Sequence, residues 1–274
     1  MRCSTALIGL VGVLVPAIAR ADDSLPPILR QAVLEQRLDE QVPLDLVFRD
    51  ETGRTVRLAE FFDGKPVILV LAYFRCPMLC TQVLNGLVDS LRGVPFDIGD
   101  QFRVLTVSFD AREGPELAAA KKASYVESYG RSGAAEGWHF LTGDQASIAA
   151  LTQAVGFHFV YDEDKDQFAH ASGIMVLTPS GKISRYFYGI RYAPGDLRLA
   201  LVEASGNKIG SRVDQVLLFC FHYDPNTGKY TPSVMNLVRL IGTLTLTILV
   251  SFLLRAWIRD ARRRPRQAVL PSGS

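Results

Sequence analysis

Two kinds of apolar run alternate between residues 43 and 205. Short β-leaning runs predict strands: LDLVF (44–48), RTVRL (54–58), VILVLAYF (67–74), FRVLTVSF (102–109), WHFLTG (138–143), SGIMVLT (172–178) and KISRYFYGI (182–190). Between them apolar residues return every three or four positions. Val83, Leu84, Leu87, Val88 and Leu91 predict a helix over 81–93 that stops at Gly93, and further helices are predicted over 114–130, 144–156 and 194–205. Asp144 is placed to cap the third of these four. The first two short runs, joined by Asp50-Glu51-Thr52-Gly53, form a hairpin, whereas 67–74 is apolar on both faces and belongs inside a sheet covered on both sides. Strands and helices in alternation, closed by a hairpin at Pro179-Ser180-Gly181 and a last helix, define an α/β domain over 43–205 with a mixed sheet and flanking helices.

Outside that domain the pattern changes. Residues 22–42 read as a mostly polar leader with a short helix after Pro27, and 206–233 are rich in turn residues and form a juxtamembrane tether. Residues 1–21 carry Arg2, an apolar stretch from Ala6 to Ile18 and the small-x-small site Ala19-Arg20-Ala21, the layout of a cleavable secretory signal peptide. Cys3 leaves with it. Residues 234–254 form the candidate transmembrane helix: the run from Leu240 to Leu254 is uncharged, and extending it back to Val234 with Arg239 snorkelling meets the requirement of about 20 residues. A buried or surface-lying helix is the competing reading of the same stretch.

Charge then orients the chain. Arginines 255, 259, 262, 263, 264 and 266 stand against Asp260 alone in 255–274, which makes this a basic cytoplasmic tail by the positive-inside rule. The expected localisation is therefore the bacterial inner membrane, single pass, with the folded domain in the periplasm. The overall net charge of +2 conceals this division: residues 22–238 hold 21 basic and 27 acidic side chains, a net of −6. A nucleic-acid partner loses its usual support, because the basic cluster adjoins an anchor and not the folded body.

Three cysteines remain after processing, Cys76, Cys80 and Cys220, an odd number that suits reactive or metal-binding thiols better than a disulfide framework. Cys76 and Cys80 fall at a strand-to-helix junction, in YFRCPMLC. With Cys76 at the helix N-terminus, Cys80 lies one turn along on the same face, at a Cα separation of about 6 Å, within disulfide range. The helix dipole would favour the thiolate at Cys76. Redox cycling and metal capture both become open, while a mere staple would close too short a loop to restrain the unfolded chain much.

A metal needs a third donor. His139, between Trp138 and Phe140, and His158, between two phenylalanines, read as packed or edge imidazoles. His170 differs. It stands just before the strand 172–178, where a thioredoxin-like sheet places a cis-proline facing its cysteine pair, and no proline occurs between Pro115 and Pro179.

The stretches YFRCPMLC, VLTVSFDAREGPELAAAKKASYV, WHFLTG, YDEDKDQFAH and SGIMVLTPSGKISRYFYG together resemble the Sco/SenC family of copper chaperones, over about residues 60–205. That resemblance implies a thioredoxin-like fold, copper bound by Cys76, Cys80 and His170, and delivery of copper to the binuclear copper centre of cytochrome c oxidase, or its reduction. The implied partner is the copper-bearing oxidase subunit or another copper chaperone. Two features depart from the family's habit: Thr81 follows the second cysteine where proline is common, and the anchor lies at the C-terminal end. The donor set is coherent by itself, since thiolates suit Cu(I) and imidazole suits either oxidation state. Zinc would accept the same three groups but usually with a fourth protein ligand in a structural site. The rival function is a membrane-tethered thiol-disulfide oxidoreductase in which Cys76 and Cys80 are the redox-active pair. A copper-responsive sensor is a third reading.

Other stretches carry weaker chemistry. Cys220 and His222, two apart in CFHYDPNTGKY, are a candidate accessory metal or thiol-exchange position, or else part of a docking turn. DEDKD (162–166) begins like a calcium loop but has Gln167 where the required glycine would be, so it reads as a solvated hairpin tip. The Thr-x-x-Cys setting of peroxiredoxins and the Gly-x-Ser-x-Gly elbow of hydrolases are both missing.

Overall fold

The computed structural model describes residues 27–209, 223–224, 229–230 and 232–263. The chain divides between Ile209 and Gly210 into two compact units.

In the first unit, helix α1 (Pro27–Gln31) precedes the hairpin β1 (Val47–Arg49) and β2 (Thr55–Arg57), followed by a 3-10 turn at Leu58–Phe61. Then come β3 (Val67–Ala72), α2 (Leu79–Arg92), β4 (Arg103–Ser108), α3 (Pro115–Tyr129), the short α4 (Ala134–Gly137), β5 (Trp138–Leu141) and α5 (Gln145–Ala154). The hairpin β6 (Phe159–Asp162) and β7 (Gln167–His170), strands β8 (Gly173–Leu177) and β9 (Ile183–Tyr188), and α6 (Pro194–Ser205) complete it. Five strands form the central sheet in the order β5-β4-β3-β8-β9. β3, β4 and β5 run parallel, and β8 and β9 are antiparallel to their neighbours.

All six residues of β3 are buried, because alternate side chains enter two separate cores. Val67, Leu69 and Leu71 join Leu105, Val107, Leu141, Met175 and α5's Ile148 and Leu151 on one face. Ile68 and Val70 join Val104, Trp138, Phe140 and the apolar sides of α2, α3 and α6 on the other. At about 2 kcal/mol per fully buried Leu or Val, these two layers supply most of the drive to fold. Gly86 lets α2 lie close to the chain after β9, since a Cβ there would sit 1.8 Å from the Ile190 carbonyl oxygen. Asp144 does cap α5, accepting from the Ser147 N–H at 2.7 Å.

Three local differences from the sequence reading stand out. The segment read as a leader packs onto the body: Leu34 and Val42 are buried, and Leu34 and Gln41 bridge to Phe157 and Lys182. Helix α2 starts at Leu79, so Cys76 lies in the loop ahead of it and not on its first turn. The turn-rich stretch read as a tether holds a small antiparallel pair, β10 (Tyr223–Asp224) and β11 (Lys229–Tyr230).

The second unit also holds α7 (Pro232–Arg263), 32 residues and about 48 Å at 1.5 Å per residue. It runs through the expected span 234–254 and past both ends, and its stretch Arg239–Arg259 is long and apolar enough to cross a membrane. Side chains from 239 to 259 are exposed. Cys220 and His222 lie outside the described residues.

Candidate metal centre

β3 and β4 are parallel and in register to their last residues, Ala72 opposite Ser108. The loops leaving their C-terminal ends are therefore side by side, and the cysteines sit on the first of them. Its backbone is held by the second. Glu113, almost fully buried, accepts from the Phe74 N–H and the Arg75 N–H at 2.7 Å each and from the Ser108 hydroxyl at 2.6 Å. The Cys76 N–H then donates to the Tyr73 carbonyl at 3.2 Å, turning the chain so that Cys76 Sγ comes over the start of α2.

Each sulfur accepts a backbone hydrogen bond. Cys76 Sγ takes one from the Cys80 N–H at 3.3 Å, and Cys80 Sγ takes one from the Tyr73 N–H at 3.4 Å. Across from them, β7 ends in His170, whose Nε2 lies 3.3 Å from Cys80 Sγ. Its Nδ1 is 2.8 Å from the Ala171 carbonyl oxygen. A carbonyl can only accept, so Nδ1 carries the proton and Nε2 presents its lone pair to the sulfurs. A backbone carbonyl orienting the far nitrogen in this way is the usual support for a metal-binding imidazole. One donor atom from each of Cys76, Cys80 and His170 lies within 4.8 Å of the others, and among the described residues this is the one such group.

The two thiols are electrostatically unlike. The hydrogen bond from the Cys80 thiol pulls the Cys76 pKa well below its ordinary value; burial opposes this, and His170 and the Cys80 and Met78 N–H groups reinforce it. Burial pushes the Cys80 thiol up, and the neighbouring Cys76 sulfur pushes it further. Of the two sulfurs Cys76 therefore carries negative charge the more readily, while Cys80 Sγ stands nearest to His170 Nε2. Rings of Phe109, Phe157 and Tyr73 pack around the imidazole at centroid distances of 5.2, 5.9 and 6.0 Å, so little water can compete for its lone pair.

The same β4–α3 loop also grips the hairpin that carries His170. Buried Asp110 accepts from Arg112 Nε and Nη2, both at 2.8 Å. The guanidinium lies 5.0 Å from the Tyr161 ring centroid and 5.5 Å from that of Phe168, and its Nη1 is 3.5 Å from Asp166. Asp110, Arg112 and Glu113 were not singled out from sequence. Their signal was available: charges directly after the apolar strand 102–109 must lie beside whatever follows strand 67–74 in a parallel sheet.

The remaining histidines do other work. His139 Nδ1 is 3.4 Å from Glu51, its ring packs on Phe61, and Glu51 also pairs with Lys122. His158 Nε2 is 3.7 Å from Glu35 on the surface. The 162–166 stretch is an exposed hairpin tip in which Lys165 pairs with Asp162 at 2.9 Å.

A five-stranded mixed sheet with a cysteine pair beyond its central parallel strand defines a thioredoxin-like protein, and the facing histidine makes the pair a candidate copper site. The chain belongs to the SCO1/SenC family, whose sequence profile matches residues 35–197, more than half its length. Among solved structures, a proposed electron transfer protein of Aquifex aeolicus VF5 is 25% identical over 63% of this chain and 96% of its own, with a TM-score of 0.55. A SCO1/SenC family lipoprotein of Bacillus anthracis str. Ames is 15% identical over 63% and 99%, with a TM-score of 0.51. Arabidopsis thaliana ScoI, solved with copper bound, is 16% identical over 59% and 96%, with a TM-score of 0.48. The likeness to the Bacillus anthracis lipoprotein concerns the fold alone. Among curated proteins none matches.

Proposed function

We propose that this protein is an exported copper chaperone, held in the bacterial inner membrane by α7, that passes copper to the binuclear copper centre of a cytochrome c oxidase under assembly. The carrying observation is the convergence of Cys76, Cys80 and His170, with Nδ1 of the imidazole committed to a carbonyl and Nε2 left to bind. Copper is the cargo. Two thiolates favour Cu(I), while the imidazole suits both oxidation states, so one donor set can hold the ion through a one-electron change. Membership of the SCO1/SenC family supports the client. The signal-like residues 1–21, the apolar helix and the arginine-rich tail support the periplasmic placement of the body.

Thiol-disulfide exchange with oxidase or chaperone cysteines is the second reading. It rests on the thiolate at Cys76 beside the protonated Cys80, the arrangement of a nucleophile with its resolving partner. Anaerobic titration of the detergent-solubilised chain with Cu(I), followed by Cu(II), separates the two. The chaperone reading expects one tightly held copper, a thiolate-to-Cu(II) charge-transfer band, and loss of both in His170→Ala. Undiminished binding in that variant, with exchange activity that needs only the two cysteines, would establish the oxidoreductase instead.

A further inference from the structure

Between the cysteines stands a side chain the fold does not use. Met78 is 64% exposed, the most exposed large apolar side chain among the described residues of the first unit, where the next is Leu199 at 50%. Neither core includes it, although the adjacent Leu79 packs against one of them. Exposed to this degree, the side chain gains little from burial, so its place between the two cysteines is not explained by packing. Its sequence position is equally specific: Met78 stands at the N-cap position of α2, two residues from either cysteine.

Two of the three donors are poorly placed for a handover. Cys76 and Cys80 are only 8% and 3% exposed, so an incoming protein's ligands have little direct access to them. A thioether at the rim is suited to give that access. It is a soft donor that selects Cu(I), it carries no proton at any pH, and it sits on a stem with three rotatable bonds.

Building on the copper reading above, we propose that Met78 is a transfer ligand for Cu(I), taking the ion at the mouth of the site as it enters or leaves. The step is a ligand exchange. A bond from Met78 Sδ to Cu(I) forms as one bond from Cys76, Cys80 or His170 breaks; a donor of the partner then displaces the thioether. Copper stays Cu(I) throughout and no electron moves. A released thiolate takes up a proton from water only if it regains its thiol form.

The test uses the full chain in detergent, loaded with Cu(I), and follows removal of copper by the chelator bathocuproine disulfonate. Met78→Leu keeps the size and apolar character but removes the sulfur. It is expected to slow removal about tenfold, equivalent to roughly 1.4 kcal/mol at the barrier, with the copper stoichiometry and the Cu(II) absorption band unchanged. Met78→His, which restores a donor of different shape, is expected to recover the rate. Parental kinetics in Met78→Leu would show that the side chain is only an apolar contact and overturn the proposal, as would a Met78→His variant as slow as Met78→Leu. A parent chain that takes up no Cu(I) would overturn this inference and the copper reading together, whereas a copper-binding parent with an unimpaired Met78→Leu variant overturns this inference alone.

Discussion

Two half-sheltered histidines sit in opposite surroundings. At the sheet edge, His139 lies against Glu51, which also pairs with Lys122 and accepts the Phe140 N–H at 3.1 Å, so every polar group there meets its complement. At the end of β7, His170 has one nitrogen satisfied and the other turned toward two sulfurs among aromatic rings. The first cluster ties the β1–β2 turn and α3 to β5 and is closed. The second keeps three soft or borderline donors together. An imidazole's function is therefore set by whether its second nitrogen has been given a partner, and burial alone would not have told the two apart.

Each region has a sheltered carboxylate, Glu113 buried and Glu51 half-buried, and removing it should break the contrast in different ways. Glu113→Ala leaves the N–H groups of Phe74 and Arg75 and the Ser108 hydroxyl without their acceptor, at an expected cost of about 2–4 kcal/mol in denaturant unfolding. Because those amides directly precede Cys76, copper affinity should fall with stability, and Glu113→Asp, with a shorter reach, should recover only part of either. Glu51→Gln should leave copper binding at the parental level. If the Glu113 variants bound copper as tightly as the parent, the cysteine loop would not depend on this clamp.

The edge cluster is sharpened by pH. Although burial disfavours its charge, contacts with His139 and Lys122 hold Glu51 at about 2, against an ordinary value of 4.5. A carboxylate whose folded pKa is depressed contributes stability that is fully present above 4.5 and is lost as pH falls toward 2. The loss should be on the order of 2 kcal/mol after allowance for partial contact with water. Equilibrium unfolding between pH 5 and pH 2 should show it in the parent and not in Glu51→Gln; equal slopes for the two would assign the acid sensitivity to other groups.

The order of strands and helices was legible because each element repeats its own period, and β3 announced its two-sided burial by having no polar position. The grouping of Cys76, Cys80 and His170 was legible too, from the cysteine spacing, the place of His170 before β8 and the resemblance to Sco/SenC proteins. What sequence misjudged was how the thiols meet. Helical spacing suggested one face of one helix, yet the helix begins at Leu79, and the sulfurs are brought together by a turn that Glu113 holds from another strand's loop. That contact spans 38 residues and depends on strand register, which no local period encodes. The packing of Leu34 and Val42 onto the body was hidden likewise, because the segments they meet, Phe157 beside Leu34 and Gly181 beside Val42, lie far along the chain.

The smallest expected effect concerns the grip on the hairpin. Arg112 uses its fork on Asp110 and its plane over Tyr161 and Phe168, and lysine can reproduce neither the paired hydrogen bonds nor the stacking. Arg112 is exposed, so Arg112→Lys should scarcely move the unfolding midpoint. The hairpin should loosen all the same, since β6 and β7 pair only with each other and are not strands of the central sheet. Amide hydrogen exchange is expected to quicken several-fold across 159–170 while 138–141 at the sheet edge stays as in the parent. Copper should still bind, because His170 also rests among Phe109, Phe157 and Tyr73, but it should dissociate faster. Unchanged exchange in the hairpin would mean that the aromatic packing alone holds the imidazole against the sulfurs, and that the Asp110–Arg112 pair serves only its own loop.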